Sequence, residues 1–406
     1  MSNKNIRLGE WEKTKPLELS DNDLDFLETR VNSDKEKIRL QFLRDGKVKL
    51  KSKQFIGIIS LPEGPSIQIQ PKAAGNILPL FRYAEGTDAS IIKGEIALSK
   101  GEFFIDSIAQ LFLDELKNLI QKGLKKSYNQ VNMEKKYLRG NLDIQKQLQK
   151  KTDFSSKFFC NFEELNRDNL VNQSIIYSLQ ILLHLTNKKG LKSNLDYFKK
   201  LLNKKITLRK IKPFELQFIH LNRLSRHYQR IIEFCSLIIK NAYVQDIEEG
   251  KRASYSILVN METIFEKVIE KAIKEGFKDT EINIISQKEI KNLLEGKPPV
   301  NLRPDILMKN EEETILVADS KWKTSRKNSD IYQIVAYQIS EDVSGLLIYP
   351  QQEGEMETTY KLKNEKKLVL FEAPTYNTGN FQEWKNNLIK ALVKKINELR
   401  LNDFKH

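Results

Sequence analysis

The hydrophobic and polar positions change period several times along the chain, and each change marks a candidate element. In "KVKLKSKQFIGIISLPEGPSIQIQPKA" the spacing predicts strands around 47–50, 54–60 and 66–70. The alternation of "SIQIQ" puts Ile67 and Ile69 on one face, and "PEGP" supplies the turn before it. From "IDSIAQLFLDELKNLIQKGL" the period becomes helical, with Ile108, Leu111, Phe112, Leu116 and Leu119 on one stripe. Residues 165–245 read as helical almost throughout, with Asp168 as a capping signal for "NLVNQSIIYSLQILLHL". A helix is then expected over 260–277, a strand over 281–286 and a loop at "EGKPPV". Strands follow at 305–309 and 314–322 around the turn "NEEE", then a helix over 329–341, a strand over 345–350, a hairpin-like piece and a last helix over 380–400.

These changes divide the chain into a β-rich N-terminal domain (1–105), a mainly helical middle region with a basic segment (106–250) and a C-terminal α/β domain (251–406). The fold class expected is α/β and multidomain. The basic segment, 122–151, reads as a solvated helix face for most of its lysines and arginines, with DNA phosphate contact as the functional alternative.

Charge narrows the class of partner. The 406 residues carry a net charge of +14. Such an excess points to an anionic partner, nucleic acid before a membrane surface, although a generally lysine-rich proteome gives the same balance. Two cysteines, Cys160 and Cys235, provide neither a disulfide framework nor a CxxC zinc spacing. The four histidines form no HExxH pattern, which argues against a histidine-based zinc hydrolase. The opening "MSNKNIRLGEWEKTK" has no apolar signal region, and no run of about 18 apolar residues occurs, so a cytoplasmic chain with no membrane partner is expected. No G-x-x-x-x-G-K-[ST] loop is present, so no bound nucleotide triphosphate is expected.

The candidate chemistry lies in "RPDILMKNEEETILVADSKWK", residues 303–323. Side chains two apart on a strand share a face, so Asp319 and Lys321 project together while Ala318 and Ser320 face the other way. Asp305 starts the antiparallel neighbour. Two facing carboxylates repel unless a cation lies between them, and Mg²⁺ is a hard ion that takes one or two carboxylates. A water activated by the ion with help from Lys321 would then attack a phosphodiester. A hairpin with a charged face fits the same residues, since Asp319 and Lys321 also suit a surface ion pair of little energetic consequence. The apolar run "ILVA" favours a strand buried on both faces, where terminal charges are more often functional. Glu266 on the preceding helix is either a third ligand or a solvated position. Gln333 and Tyr337, four apart on the following helix, suit packing better than direct catalysis.

This order of elements resembles the PD-(D/E)xK restriction-endonuclease-like core. Within that superfamily it resembles the McrC family, the nuclease subunits of McrBC-type modification-dependent restriction systems. The segments "FIGIISLPEGPSIQIQPKA", "YLRGNLDIQKQL", "CNFEELNRDNLVNQSIIYSLQILL", "NMETIFEKVIE" and "LRPDILM…VADSKWK" follow the family's order over most of 50–350. The resemblance implies Asp305, Asp319 and Lys321 as catalytic residues, and Glu266 beside Asp305 and Asp319 at a Mg²⁺ site that would also accept Mn²⁺. It matches Gln333 and Tyr337 to a supporting Q-x-x-x-Y helix motif, and leaves Ser320 at most a backbone carbonyl ligand. It further implies a McrB-like AAA+ GTPase hexamer as partner, docked and stimulated through the N-terminal domain and basic middle, double-stranded modified DNA as substrate, and pairing of two nuclease domains. The alternatives are a non-catalytic adaptor or DNA-binding subunit, or a nuclease for another nucleic acid.

Overall fold

The structure is a computed structural model that describes residues 6–72, 77–84, 104–149, 157–245, 254–290, 301–311, 313–352, 356–375 and 381–403. The chain divides into two compact units, residues 1–107 together with 243–406, and residues 108–242.

The first unit opens with β1 (Ile6–Gly9), α1 (Asp21–Asp25) with a π-helical turn Phe26–Val31, β2 (Ile38–Phe42), β3 (Val48–Ser52), β4 (Phe55–Ser60), β5 (Ser66–Gln70) and α2 (Ile77–Ala84). Helix α3 (Phe104–Lys122) carries the chain into the second unit. That unit holds β6 (Ser127–Lys135), β7 (Asn141–Leu142), α4 (Ile144–Leu148), β8 (Phe158–Asn166), α5 (Leu170–Leu185), α6 (Lys189–Asn203) and α7 (Gln229–Asn241). The first unit resumes with β9 (Ala242–Gln245), β10 (Ser254–Asn260), α8 (Met261–Gly276), β11 (Ile282–Ser286), β12 (Ile306–Asn310) and β13 (Glu313–Ser320). It ends with α9 (Asn328–Glu341), β14 (Gly345–Pro350), β15 (Thr358–Lys361), β16 (Lys367–Ala373) and α10 (Phe381–Asp403).

Two sheets organise the first unit. One has the order β1-β5-β4-β10-β9. Ile67 and Ile69 of β5 are buried with Phe26, Leu27, Leu50 and Leu258, as the "SIQIQ" alternation requires. Strand β10, from the stretch assigned above to the C-terminal domain, pairs antiparallel with β4 in this sheet. Gly57 of β4 explains how closely the two strands approach. Its φ is +138°, and a Cβ there would lie 1.9 Å from the Ile257 carbonyl oxygen. Only glycine fits that backbone and that gap.

The other sheet has the order β11-β12-β13-β14-β16-β15. The β12–β13 pair is antiparallel, while β13, β14 and β16 run parallel. Helix α9 makes the crossover between β13 and β14, the usual way to join parallel neighbours. Every residue of β14 is buried, and in β13 burial runs from Leu316 to Ser320. The apolar "ILVA" is therefore a central strand, with its polar end carried inside.

In the second unit two expectations are corrected. The basic segment is not one helix face, because residues 127–135 form β6, paired with β8 in a three-stranded sheet completed by β7. Its burial alternates from Ser127 to Val131, a period of two spread over mostly polar residues. Asp168 does not cap α5 either. Asn169 does, accepting from the Asn172 backbone N–H, while Asp168 accepts from Thr207 N–H at 2.9 Å and its hydroxyl at 2.6 Å. Both cysteines are buried and free. Among the described residues no helix is long and apolar enough to cross a membrane.

Candidate active site

The site forms where two central strands end together. The last antiparallel pair of β12 and β13 is Ile306 with Ala318, so Asp305 and Asp319 each stand one position beyond it and are brought side by side. Parallel pairing with β14 fixes the other edge, Asp319 opposite Leu347 and Ser320 opposite Ile348. The backbone N–H of Lys321 continues the ladder, donating to the Ile348 carbonyl at 2.8 Å. Strand register therefore decides the placement of all three charged side chains.

Asp319 is 1% exposed and its Oδ2 lies 2.5 Å from Lys321 Nζ. Asp305 is turned to Ser320, accepting from its backbone N–H at 2.8 Å and from its hydroxyl at 3.0 Å. Burial raises the Asp319 pKa, the neighbouring Asp305 charge adds to the rise, and Lys321 opposes it. Burial pulls the Lys321 ammonium down, but Asp319 and then Asp305 and Asp330 more than offset this, so Lys321 stays above its ordinary range. Lys321 is therefore held charged at neutral pH.

Glu266 on α8 belongs to the same electrostatic group. Burial first, then Asp305, push its carboxyl up to about 7, with Lys321 opposing. The helix that carries it starts at Asn260, whose side chain accepts from the backbone N–H groups of Glu262 and Thr263. On α9, Gln333 Nε2 donates to the Tyr337 hydroxyl at 2.7 Å, and that hydroxyl donates to the Arg303 carbonyl at 3.2 Å. The pair thus ties α9 to the segment that leads into Asp305. Tyr337 is also buried among Leu307, Val317 and Ile334, which fits packing with a polar tip.

Chemically, a set of three carboxylates offering hard oxygen donors only, with Glu266 and Asp319 raised by burial and by the Asp305 charge, suits Mg²⁺ or Mn²⁺. Two of them, Asp305 and Asp319, stand at the joint end of their strands. Among the described residues no three His, Cys, Asp or Glu side chains are gathered into a ready metal-binding group. Glu266 is near enough to feel the other two charges without completing such a group.

With this geometry in place, the sequence profile of one family matches residues 50–350, that of the McrBC 5-methylcytosine restriction system component. The chain belongs to this family. A relative within it is the type IV methyl-directed restriction enzyme EcoKMcrBC of Escherichia coli strain K12. It is 22% identical over 318 residues, which are 71% of this chain and 88% of the relative. A solved structure from Thermococcus gammatolerans, the refined half-complex from a tetradecameric assembly of McrB AAA+ hexamers with bound McrC, shares the fold at a TM-score of 0.62. That likeness covers 97% of this chain and 100% of the other at 16% identity. This member of the McrBC family thus has a mixed α/β fold of several sheets and helices.

Some residues around the site give little sign in the sequence. The resemblance leaves Ser320 at most a carbonyl ligand, yet it is the donor that fixes Asp305. Trp322, next to Lys321, is 1% exposed and donates its Nε1–H to Glu10 Oε2 at 3.0 Å. It also packs on Phe265 of α8, ring centroids 5.5 Å apart. Lys323 donates to the buried Asp330 at 2.6 Å, joining the end of this segment to the first turn of α9. The D-x-K-W-K spacing holds the signal for the last of these, since both lysines alternate with a buried aromatic.

Proposed function

We propose that this chain is the DNA-cutting subunit of a McrBC-like restriction system, a PD-(D/E)xK endonuclease that depends on Mg²⁺ or Mn²⁺. The observation that carries this reading is the placement of Asp305 and Asp319 at the joint end of two buried strands, with Lys321 ion-paired to Asp319. A bound divalent ion would supply positive charge at the scissile phosphate and lower the cost of activating water. Asp305 and Asp319 would hold that ion, and Glu266 would join them when its proton is displaced. Ser320 keeps Asp305 from swinging away.

Lys321 has a narrower role than its motif alone suggests. Because its surroundings favour the charged form, it suits offsetting the charge that builds on the phosphate, rather than taking a proton from water. Gln333 and Tyr337 hold α9 against the Arg303 backbone and so keep Asp305 in register. They touch no reacting atom in this scheme and act as positioning residues.

The partner proposed is a McrB-like AAA+ GTPase hexamer, in keeping with the assembly of the Thermococcus relative, with double-stranded modified DNA as substrate. Cutting both strands would need two nuclease domains to meet. The test is cleavage of methylated DNA by the reconstituted complex carrying Asp319→Ala. Cleavage is expected to fall by about 10²-fold or more, the scale of losing a principal electrostatic group, while assembly and GTP hydrolysis persist. Normal cutting by this variant would remove Asp319 from the site and the reading with it.

A further inference from the structure

The N-terminal strand ends in a turn with an unusual occupant. Glu12 N–H donates to the Gly9 carbonyl at 3.3 Å, closing Gly9-Glu10-Trp11-Glu12. Trp11 sits at the third position with φ of +68°, where turns with this backbone favour glycine or asparagine. A bulky side chain in the left-handed region is an outlier that the surroundings must enforce. Its surroundings do so. Ser52 donates its hydroxyl to the Gly9 carbonyl at 2.8 Å and its backbone N–H to the Glu12 carbonyl at 3.0 Å. Glu10 N–H donates to the Gln70 carbonyl at 3.0 Å.

The turn presents the indole outward. Trp11 is 41% exposed, an uncommon position for the largest apolar side chain. Two ammonium groups flank it, Lys51 Nζ at 5.9 Å and Lys72 Nζ at 5.6 Å from the ring centroid. Lys72 lies in a wider field of charges. Burial lowers its pKa, Glu10 and Glu262 oppose that, and Lys323 and Lys327 lower it further. Two lysines that follow Lys321, Lys323 and Lys327, are thus close enough to act on Lys72, as are two acids.

This turn is also fixed to the candidate active site. Glu10, the residue before Trp11, is 4% exposed and accepts the indole N–H of Trp322, whose neighbour is Lys321. It accepts as well from the Lys72 backbone N–H at 2.9 Å. One carboxylate thus ties together the exposed aromatic, one of its flanking lysines and the strand that carries Asp319. An aromatic face between two cations, rigidly linked to a phosphodiester-cutting site, has the chemistry of a nucleotide-stacking platform.

We propose that Trp11, Lys51 and Lys72 form a contact for an unstacked nucleotide of the DNA, the base lying on the indole and the adjoining phosphates on the two ammonium groups. The assignment rests on the reading of DNA as substrate, and it sets where the strand runs as it leaves the site. Binding is read without catalysis, in full-length chain carrying Asp319→Ala, by fluorescence anisotropy with labelled single-stranded and duplex oligonucleotides. Trp11→Gly suits the backbone of the turn and removes only the ring. It should weaken single-strand binding about tenfold, the scale of one lost stacking contact, with thermal stability kept or raised. Trp11→Phe should recover most of the affinity. Replacing Lys51 and Lys72 by alanine should flatten the slope of log affinity against log salt by about one to two units. Unchanged binding by Trp11→Gly overturns the proposal. So does loss of association with the GTPase partner while DNA affinity stays the same, which makes the turn a protein contact. If the wild-type complex cuts no DNA yet Trp11→Gly still loses single-strand affinity, the nuclease reading fails and the platform stands.

Discussion

Ser320 donates both its backbone N–H and its hydroxyl to the same oxygen of Asp305. The acceptor is a carboxylate at the start of the neighbouring strand, so the two bonds fix its direction. Ser320→Ala removes one donor and leaves the other, because the N–H belongs to the backbone. Hydrogen bonds to charged groups contribute about 1.5–3 kcal/mol each. We expect cleavage by the complex to fall by about tenfold or more and the Mg²⁺ concentration needed for half-maximal rate to rise. Ser320→Thr, which keeps the hydroxyl, should be closer to wild type. Equal activity of the alanine and threonine variants would deny the hydroxyl any role.

Glu266 contributes to the pH dependence of stability, alongside the raised Asp319. The Glu266 carboxyl is raised from 4.5 to about 7 in the folded chain, so the folded state holds the proton more tightly than the unfolded one. The stability this proton linkage confers is full below about 4.5 and is lost as pH rises through about 7. In chelator-treated protein the melting temperature should fall across that window. Glu266→Gln removes this group's titration and leaves that of Asp319, so its melting temperature should match wild type near pH 4, fall less steeply across the window and exceed wild type near pH 8. A wild-type curve that is flat through this range, or parallel to the variant's, counts against the assignment.

Glu10 and Trp322 are 312 positions apart in sequence and joined by one buried hydrogen bond. Glu10→Ala leaves the indole N–H without its acceptor inside the protein, a penalty of about 1–3 kcal/mol. Glu10→Gln retains an acceptor oxygen and removes a charge that burial disfavours, so it should keep stability at neutral pH. Thermal or denaturant melts of the two variants give the comparison. Alanine and glutamine variants of equal stability would show that the bond contributes nothing.

What could be read from the sequence, and what could not, divides along the range of the interactions. That Asp305, Asp319 and Lys321 lie together was legible because a strand's period of two and an apolar run place them without knowledge of distant residues. The partner of Trp322 was not legible, since nothing near residue 322 hints at an acceptor in the turn after the first strand. Strand β6 was hidden for another reason. Its alternation runs through Ser127, Asn129 and Val131, so the usual apolar marker of a strand is nearly absent. The Gln333–Tyr337 pair showed its helical spacing, but the bond to the Arg303 carbonyl depends on how α9 crosses from β13 to β14.

Gly57 provides a test of the N-terminal sheet that is independent of catalysis. A Cβ at this position would stand 1.9 Å from the Ile257 carbonyl oxygen and 2.9 Å from its carbon, both backbone atoms that no rotamer change can move. The backbone φ of +138° adds strain for any L side chain. Gly57→Ala must therefore push β10 away from β4 or change the backbone of both. Overpacking alone costs about 1–3 kcal/mol, and a strained φ adds about 1–3 kcal/mol more. Because β10 leads directly into α8, the same shift reaches the helix that carries Glu266. We expect Gly57→Ala to lower the melting temperature sharply and to reduce activity in proportion to the folded fraction. Gly46 is the matched control, since it also has a positive φ, +75°, but a Cβ there would meet nothing within 4 Å. Gly46→Ala should show the strain cost without the clash. If the two variants melt alike, close approach of β4 and β10 is not what requires glycine at position 57.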